Sequence, residues 1–505
     1  MPNVIKLRGT LKDLCIENDA GVFFSAKKGL TATPKSAAAF ATDYILEVAK
    51  AALEIVSIFL NFKEVHMKPQ IVKDLLMSQI KTIAANAKSF CIDAERNFSR
   101  KRKLTMEKII TGIIGMGSGS LTNELLDLFN DSPETPTSSA FCQQRSKITV
   151  EAFEAVFRLF SKKLCDSFDD ELPVLAVDGS KIQIPTNPDD VDSFMPGSNG
   201  QKPYNLLHLN ALYDLKHQIY QDAIIQKIKS ANEHLALIEM VDRSLLRNAL
   251  LMADRGYESY NNLAHIQEKG WYFLFRIKDG DYGIKQGLSL PDEDSYDISF
   301  ELNLTRKQTK EVKELIKDRN HYRWIPSDMV FDYLPPKSRK SDPVRFYKLS
   351  FRIVRFPISE ETNETIITNL PTDKYPAEEI KKLYASRWGI ETSFRDLKYT
   401  MGMLDFHSKK VECIQQEIYA HLIMYNFAEM ITSHVVIKKK QSRKYTYKAN
   451  FSVAAHMCRK YYRGTTSPPD LETIISRNLV PIRPDRHRVR YQSARIFRGF
   501  LYRVA

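Results

Sequence analysis

The chain has 505 residues and a formal net charge of +13, with a pI near 9.2. That length allows two or three domains with sizeable cores, and 43% hydrophobic with 10% aromatic residues excludes a disordered polypeptide. No uncharged apolar run approaches the roughly 18 residues of a membrane span, and the start "MPNVIKLRGTLKDLCIEND" lacks a signal-peptide layout, so a soluble protein that stays where it is made is expected. The six cysteines are scattered without a C-x-x-C pair, which disfavours a zinc site or disulfide framework and suits a reducing compartment.

Residues 1–165 are expected to form a mainly helical region. "YILEVAKAALEIVSIFLNF" (44–62) reads as a buried amphipathic helix interrupted by Glu47, Lys50 and Glu54. The basic run "FSRKRKLT" (98–105) suits a hinge or a phosphate contact. "GMGSGS" lacks the G-K-[ST] ending of a nucleotide-binding loop, which argues against ATP. "TPTSSAFCQQRSKITVEAFEAVFRLFSKKL" (135–164) fits a small helical DNA-binding unit with Gln143, Gln144, Arg145 and Lys147 facing out, although any helical bundle gives the same pattern.

From residue 173 the periodicity changes. "PVLAVDGSKIQI" is a continuous apolar run, as in a strand covered on both faces, and it ends on Asp178. A hairpin at Asp214-Leu215-Lys216, a helix over 232–246, the run "ALLMADRGYES" carrying Asp254, a helix near 259–269 and the strand "WYFLFRIK" follow. This succession predicts an α/β, ribonuclease-H-like mixed sheet over 166–278, with its first and fourth strands side by side. Residues 279–368 read as a β-rich insertion subdomain, 369–435 as the return of the core, and 436–505 as a basic, mainly helical C-terminal region. From Lys438 to Ala505 there are 17 Lys and Arg against three acids, so this tail carries essentially the whole charge excess. Interleaved aromatics favour nucleic-acid contact there over a tail kept only for solubility.

If the first and fourth strands are neighbours, Asp178 and Asp254 leave the sheet at one edge, close enough to share a divalent cation. An Asp beside Gly at a strand end is also an ordinary turn residue; the two acids together carry more weight. The third acid comes from "LYASRWGIETSFRDLKYTMGM" (383–403), which reads as one amphipathic helix. At 100° per residue Tyr384, Arg387, Glu391 and Lys398 share an arc of about 60°, beside an apolar stripe of Leu383, Ile390, Phe394, Leu397 and Met401. A surface pair of Glu391 with Arg395 explains only part of that stripe. Three carboxylates with Mg²⁺, plus Arg, Lys and Tyr for phosphates, make a sensible phosphoryl-transfer set.

Tyr384, Arg387, Glu391 and Lys398 meet the spacing Y-x2-R-x3-E-x6-K in full. With "VDGS" and "ADRGY", the chain resembles the bacterial DDE transposases of the insertion-sequence-four family over roughly residues 98–430. The resemblance implies a catalytic and metal-binding triad of Asp178, Asp254 and Glu391 using two Mg²⁺ ions, with Mn²⁺ as a substitute. It implies excision and integration of an insertion sequence through double-stranded DNA bound at its terminal inverted repeats and at a target, and a homodimer in the synaptic complex. It further implies a cytoplasmic, nucleoid-associated bacterial protein, with Tyr384, Arg387, Trp388, Arg395 and Lys398 on DNA. Trp388 matches a position whose aromatic lies near a flipped base, and Trp324 in "HYRWIP" is a second stacking candidate; packing between helix and sheet is the other reading of Trp388. The alternative function is a transposase-derived DNA-binding regulator that does not cut.

Overall fold

The computed structural model describes residues 67–482, apart from 101, 198–201, 279, 281, 338, 340, 360–361 and 436–444. It also gives the backbone of two short strands, Cys15–Glu17 and Phe23–Ser25, which pair antiparallel in a region expected to be helical. The helix expected at 44–62 and the most basic stretch of the tail lie outside the described residues.

Five helices precede the sheet: α1 (Pro69–Ala85), α2 (Met106–Gly115), α3 (Leu121–Leu128), α4 (Ser138–Arg145) and α5 (Val150–Cys165). Hydroxyl side chains cap three of them: Thr105, Ser120 and Thr137 each accept a backbone N–H of the first turn, which would otherwise lack a partner. Helix α1 buries Val72, Leu76, Ile80 and Ile83, and α5 buries Phe153, Val156, Phe157, Phe160 and Leu164, each a single stripe at helical spacing.

Next come β1 (Val174–Ile184), β2 (Tyr204–Asp214), β3 (Ile219–Lys227), α6 (Glu233–Arg243), β4 (Leu250–Ala253), α7 (Tyr260–Glu268) and β5 (Tyr272–Arg276), the expected succession. In space the strands run β3-β2-β1-β4-β5. β1 lies antiparallel to β2 and parallel to β4, with Val174 beside Leu250 and Ala176 beside Met252. The strands expected to be neighbours are neighbours.

The β-rich segment contributes β6 (Tyr296–Thr305), β7 (Tyr322–Trp324), β8 (Tyr347–Ser359) and β9 (Thr362–Thr368). These strands continue the same sheet. β9 pairs antiparallel with β5, Ile366 opposite Arg276, and the order runs on through β8 and β6 to β7. The physical reason is the free edge of β5, whose backbone groups β9 satisfies. With the two-residue strand Phe194–Met195 the sheet has ten strands.

Two cores lie on its two faces. Leu175, Val177, Leu251 and Ala253 face α6 and α7, whereas Ala176, Ile182, Leu250 and Met252 face the other side. That other side is covered by α8 (Ala377–Ser386), α9 (Trp388–Arg395) and α10 (Val411–His434). Helix α10 is buried around nearly its whole circumference, packing on α5, α1, α2 and α11 (Phe451–Arg463). α12 (Pro468–Arg477) follows, and strands Thr446–Ala449 and Leu479–Ile482 pair beside it. Among the described residues no helix is long and apolar enough to cross a membrane.

Candidate active site

The alternation of side chains along a strand decides where the acids point. On β1, Ala176 faces the α8–α10 side, so Asp178, two residues on, faces the same way. On β4, Met252 faces that side, and Asp254 follows two residues later. Both aspartates therefore emerge on one face at one sheet edge, and α9 brings Glu391 to it.

Arg387, at the junction of α8 and α9, ties the set together. Its Nη2 donates to Glu391 Oε1 at 2.6 Å, its Nη1 lies 3.9 Å from Asp178 Oδ2, and it feels the charge of Asp254. The i,i+4 partner of Glu391 is thus Arg387, and Arg395 is exposed one turn away. Backbone amides orient the aspartates: Asp178 Oδ1 accepts from Gly179 N and Asp254 Oδ1 from Gly256 N, both at 2.8 Å. Burial pushes the Asp178 carboxyl up to about 7, with the like charges of Glu391 and Asp254 adding to it and Arg387 opposing. Burial likewise raises Glu391. The acids are spread around the guanidinium, not closed on one point.

The expected single helix over 383–403 is three pieces. It tightens at Arg387, where Arg387 N bonds Tyr384 O, and widens to a π turn at Asp396–Thr400, closed by Met401 N on Asp396 O at 2.9 Å. π turns of this kind occur often at functional sites because they shift the register of the side chains beyond them. Here Lys398 reaches the Lys181 carbonyl on β1 at 2.9 Å, and Tyr384 reaches the Ala253 carbonyl at the end of β4 at 3.5 Å. The expected apolar stripe is buried, from Ile390 and Phe394 to Leu397 and Met401, with Leu383 partly so.

Trp388 is 46% exposed beside Arg387, so it does not pack between helix and sheet. Trp324 is 36% exposed on β7, six strands from β1, or roughly 29 Å at ordinary strand spacing. The sheet does not bring Trp324 to the acids.

Arg145 requires a correction. It does not face outward for DNA: it is 1% exposed, with Nη1 on Glu417 Oε1 at 2.7 Å, Nε on Gln416 Oε1 at 2.9 Å and a further bond to the Cys413 carbonyl. Burial alone would raise the Glu417 carboxyl, but Arg145 and His407 hold it down at about 2. The outward reading failed because the countercharge is 272 residues away. Gln143 is exposed as expected, and Gln144 and Lys147 are half-buried.

A second acidic group, Asp170, Asp214 and His217, lies at the start of β1, where Asp214 pairs with Leu175, and all its ligand atoms are within 4.8 Å of one another. Lys216 pairs with Asp170 inside it, and His217 stacks on Phe168 at 3.5 Å, so the group locks the β2–β3 hairpin. Three residues not expected from the sequence lie close by: His208 on β2 and Glu233 on α6, both against Gly179, and Tyr257, which feels the charges of Asp178 and Asp254. The tyrosine of "ADRGY" was the available signal.

Three acids, an arginine, a lysine and a tyrosine on one edge of a mixed sheet form a set suited to phosphodiester chemistry. The chain belongs to the DDE transposases: residues 169–427, just over half its length, match the family model described as "Transposase DDE domain". Its insertion-sequence-four character agrees with its relatives. It is 22% identical over 341 residues to the transposase InsG for insertion sequence element IS4 of Escherichia coli (strain K12), covering 65% of this chain and 70% of that protein. It is 22% identical over 410 residues to the transposase for element IS231B of Bacillus thuringiensis subsp. berliner, covering 75% and 84%. A solved piggyBac transposase synaptic complex with hairpin DNA is similar at 11% identity and a TM-score of 0.38, over 81% of this chain and 84% of that one. The chain is therefore an enzyme acting on DNA, in a family that generally uses divalent metal.

Proposed function

We propose that Asp178, Asp254 and Glu391 hold two divalent cations, Mg²⁺ with Mn²⁺ as substitute, for excision and integration of an insertion sequence bound at its terminal inverted repeats. The observation that carries this reading is the guanidinium of Arg387, which sits between carboxylates from β1 and α9 at the sheet edge. The strand order β3-β2-β1-β4-β5 supports a ribonuclease-H-like core. The donor set is all oxygen, which suits a hard cation, and the raised Asp178 carboxyl belongs to a site short of positive charge. Bound there, such ions would activate a water or 3′-hydroxyl and stabilise the leaving oxygen.

The other residues bind and orient. Arg387 and Lys398 neutralise phosphates flanking the cut, Tyr384 donates to one, and Arg395 extends the basic track. Trp388 stacks on a base displaced near the cut. Trp324, far from its own acids, suits DNA lying across the β-rich end of the sheet or the site of a dimer partner in the synaptic complex. Cytoplasmic, nucleoid-associated placement follows from the DNA substrate.

The test uses DNA carrying the element's ends. The protein nicks at the boundary with Mg²⁺ and not with a chelator; undiminished cutting by Glu391→Ala would end this reading. Trp388→Ala should melt like the wild type, since its ring is half-exposed, while processing of the cut end slows about tenfold, the loss of one stacked base at ~1–3 kcal/mol. Equal processing by this variant would remove Trp388 from the DNA contacts.

A further inference from the structure

The face of β1 away from Arg387 carries polar groups with no role so far. Gly179 follows Asp178 on β1 and faces the α6 side. A Cβ there would stand 2.5 Å from His208 Nε2 and 2.7 Å from Glu233 Oε1, so only glycine lets these two groups lie against the strand beside the catalytic aspartate. His208 is buried, its Nε2 is 3.0 Å from Glu233 Oε1, and the Glu233 side chain remains 42% open to solvent in the first turn of α6. Because β4 stops at Ala253, β1 has no neighbour on that side beyond its first residues, and groups from the two faces meet around its bare edge.

Tyr257, in the turn after β4, packs in the core on the α6 side. Its ring is 2% exposed, and its hydroxyl has no hydrogen-bond partner among the described residues. The charges around that hydroxyl are Glu233, Asp178, Asp254 and Arg387. A buried hydroxyl left unpaired costs about 1–3 kcal/mol, and the Tyr257 hydroxyl is one of several such buried groups among the described residues. This one lies under the influence of the acids on both sides of β1.

We infer that Glu233, seated by His208, is a fourth acidic group of this active site, a positioning residue that with the Tyr257 hydroxyl orients cation-bound water around Asp178 and Asp254. The inference rests on the two-cation reading above. Mg²⁺ usually keeps several of its waters, and each bound water needs acceptors outside the direct ligands. Asp178 and Asp254 spend one oxygen each on a backbone amide, so Glu233 and Tyr257 supply acceptors from the other face.

Calorimetric titration of Mn²⁺ into the full chain without DNA tests this independently of turnover. Loss of an outer partner weakens metal affinity about 10–100-fold. Glu233→Gln should bind Mn²⁺ at least about tenfold more weakly, raise the Mg²⁺ midpoint for cutting by a similar factor, and lower the maximal rate by less. Glu233→Asp should recover part of the affinity. Tyr257→Phe loses no hydrogen bond of the ion-free protein, so it should melt no lower than the wild type yet also bind Mn²⁺ more weakly. If Glu233→Gln and Tyr257→Phe both bind Mn²⁺ as the wild type does while Asp178→Asn does not, the inference falls and the two-cation reading stands. Wild-type Mn²⁺ binding by Asp178→Asn overturns both.

Discussion

Asp178→Asn should cut DNA ends on the order of 10³-fold more slowly than the wild type while the ion-free protein becomes more stable at pH 8. Asparagine keeps the volume and can still accept from Gly179 N, but it offers a cation no charge. The gain in stability follows from the raised carboxyl. A carboxyl with folded value near 7 holds its proton between about pH 4 and 7, where the unfolded chain has lost it. Folding therefore takes up a proton in that window, and stability falls as pH rises through it. Above pH 7 the penalty is complete, on the order of 2–4 kcal/mol before Arg387 loses one of its two acids. Thermal melts of both proteins at pH 5 and pH 8 with chelator, beside a nicking assay, read both halves. Equal melting at pH 8 would mean that the charge is not held against its preference, and cutting at the wild-type rate would remove Asp178 from catalysis.

The second large effect lies far from the chemistry. Arg145→Ala should cost about 3–5 kcal/mol of stability, because it leaves Glu417 buried without its main countercharge. It also frees Gln416 Oε1 and the Cys413 carbonyl from their donor. Arg145→Met fills the volume but keeps the stranded carboxylate, so it should recover little by itself. Pairing Arg145→Met with Glu417→Gln should recover most of the loss, a coupling that a double-mutant cycle reads from chemical denaturation. Purely additive losses would show that Arg145 serves packing more than charge.

These two residues also mark what the sequence could and could not reveal. The nearness of Asp178 and Asp254 was legible only from the two together, because the element order placed both apolar runs in adjacent strands; alone each reads as a turn residue, and β1 in fact runs on past Asp178 to Ile184. Glu391 was legible through the spacing of its neighbours along one helix. Arg145 was misread because burial of a cation depends on an acid brought up by a different part of the chain. The break at Arg387 and the π turn after Asp396 escaped notice for a related reason: a wheel drawn at constant pitch has no means of showing where a helix tightens or widens. The β-rich segment was recognised as strands, but its attachment to β5 depends on which edge lacks a partner, and periodicity does not report that. His208 and Glu233 were passed over because neither sits in a distinctive local pattern; only the bare glycine at 179 reveals how close they come.

The Arg145–Glu417 contact has one more consequence, for how this enzyme could be rebuilt. The family match begins at residue 169, which invites treating the preceding helices as an exchangeable headpiece. Yet α1, α2, α4 and α5 all close on α10, and the ion pair is made half from one side of that seam and half from the other. A chimera that swaps residues 67–165 for those of a relative would have to import a matching α10 as well, so grafting must follow the seam and not the order of the chain.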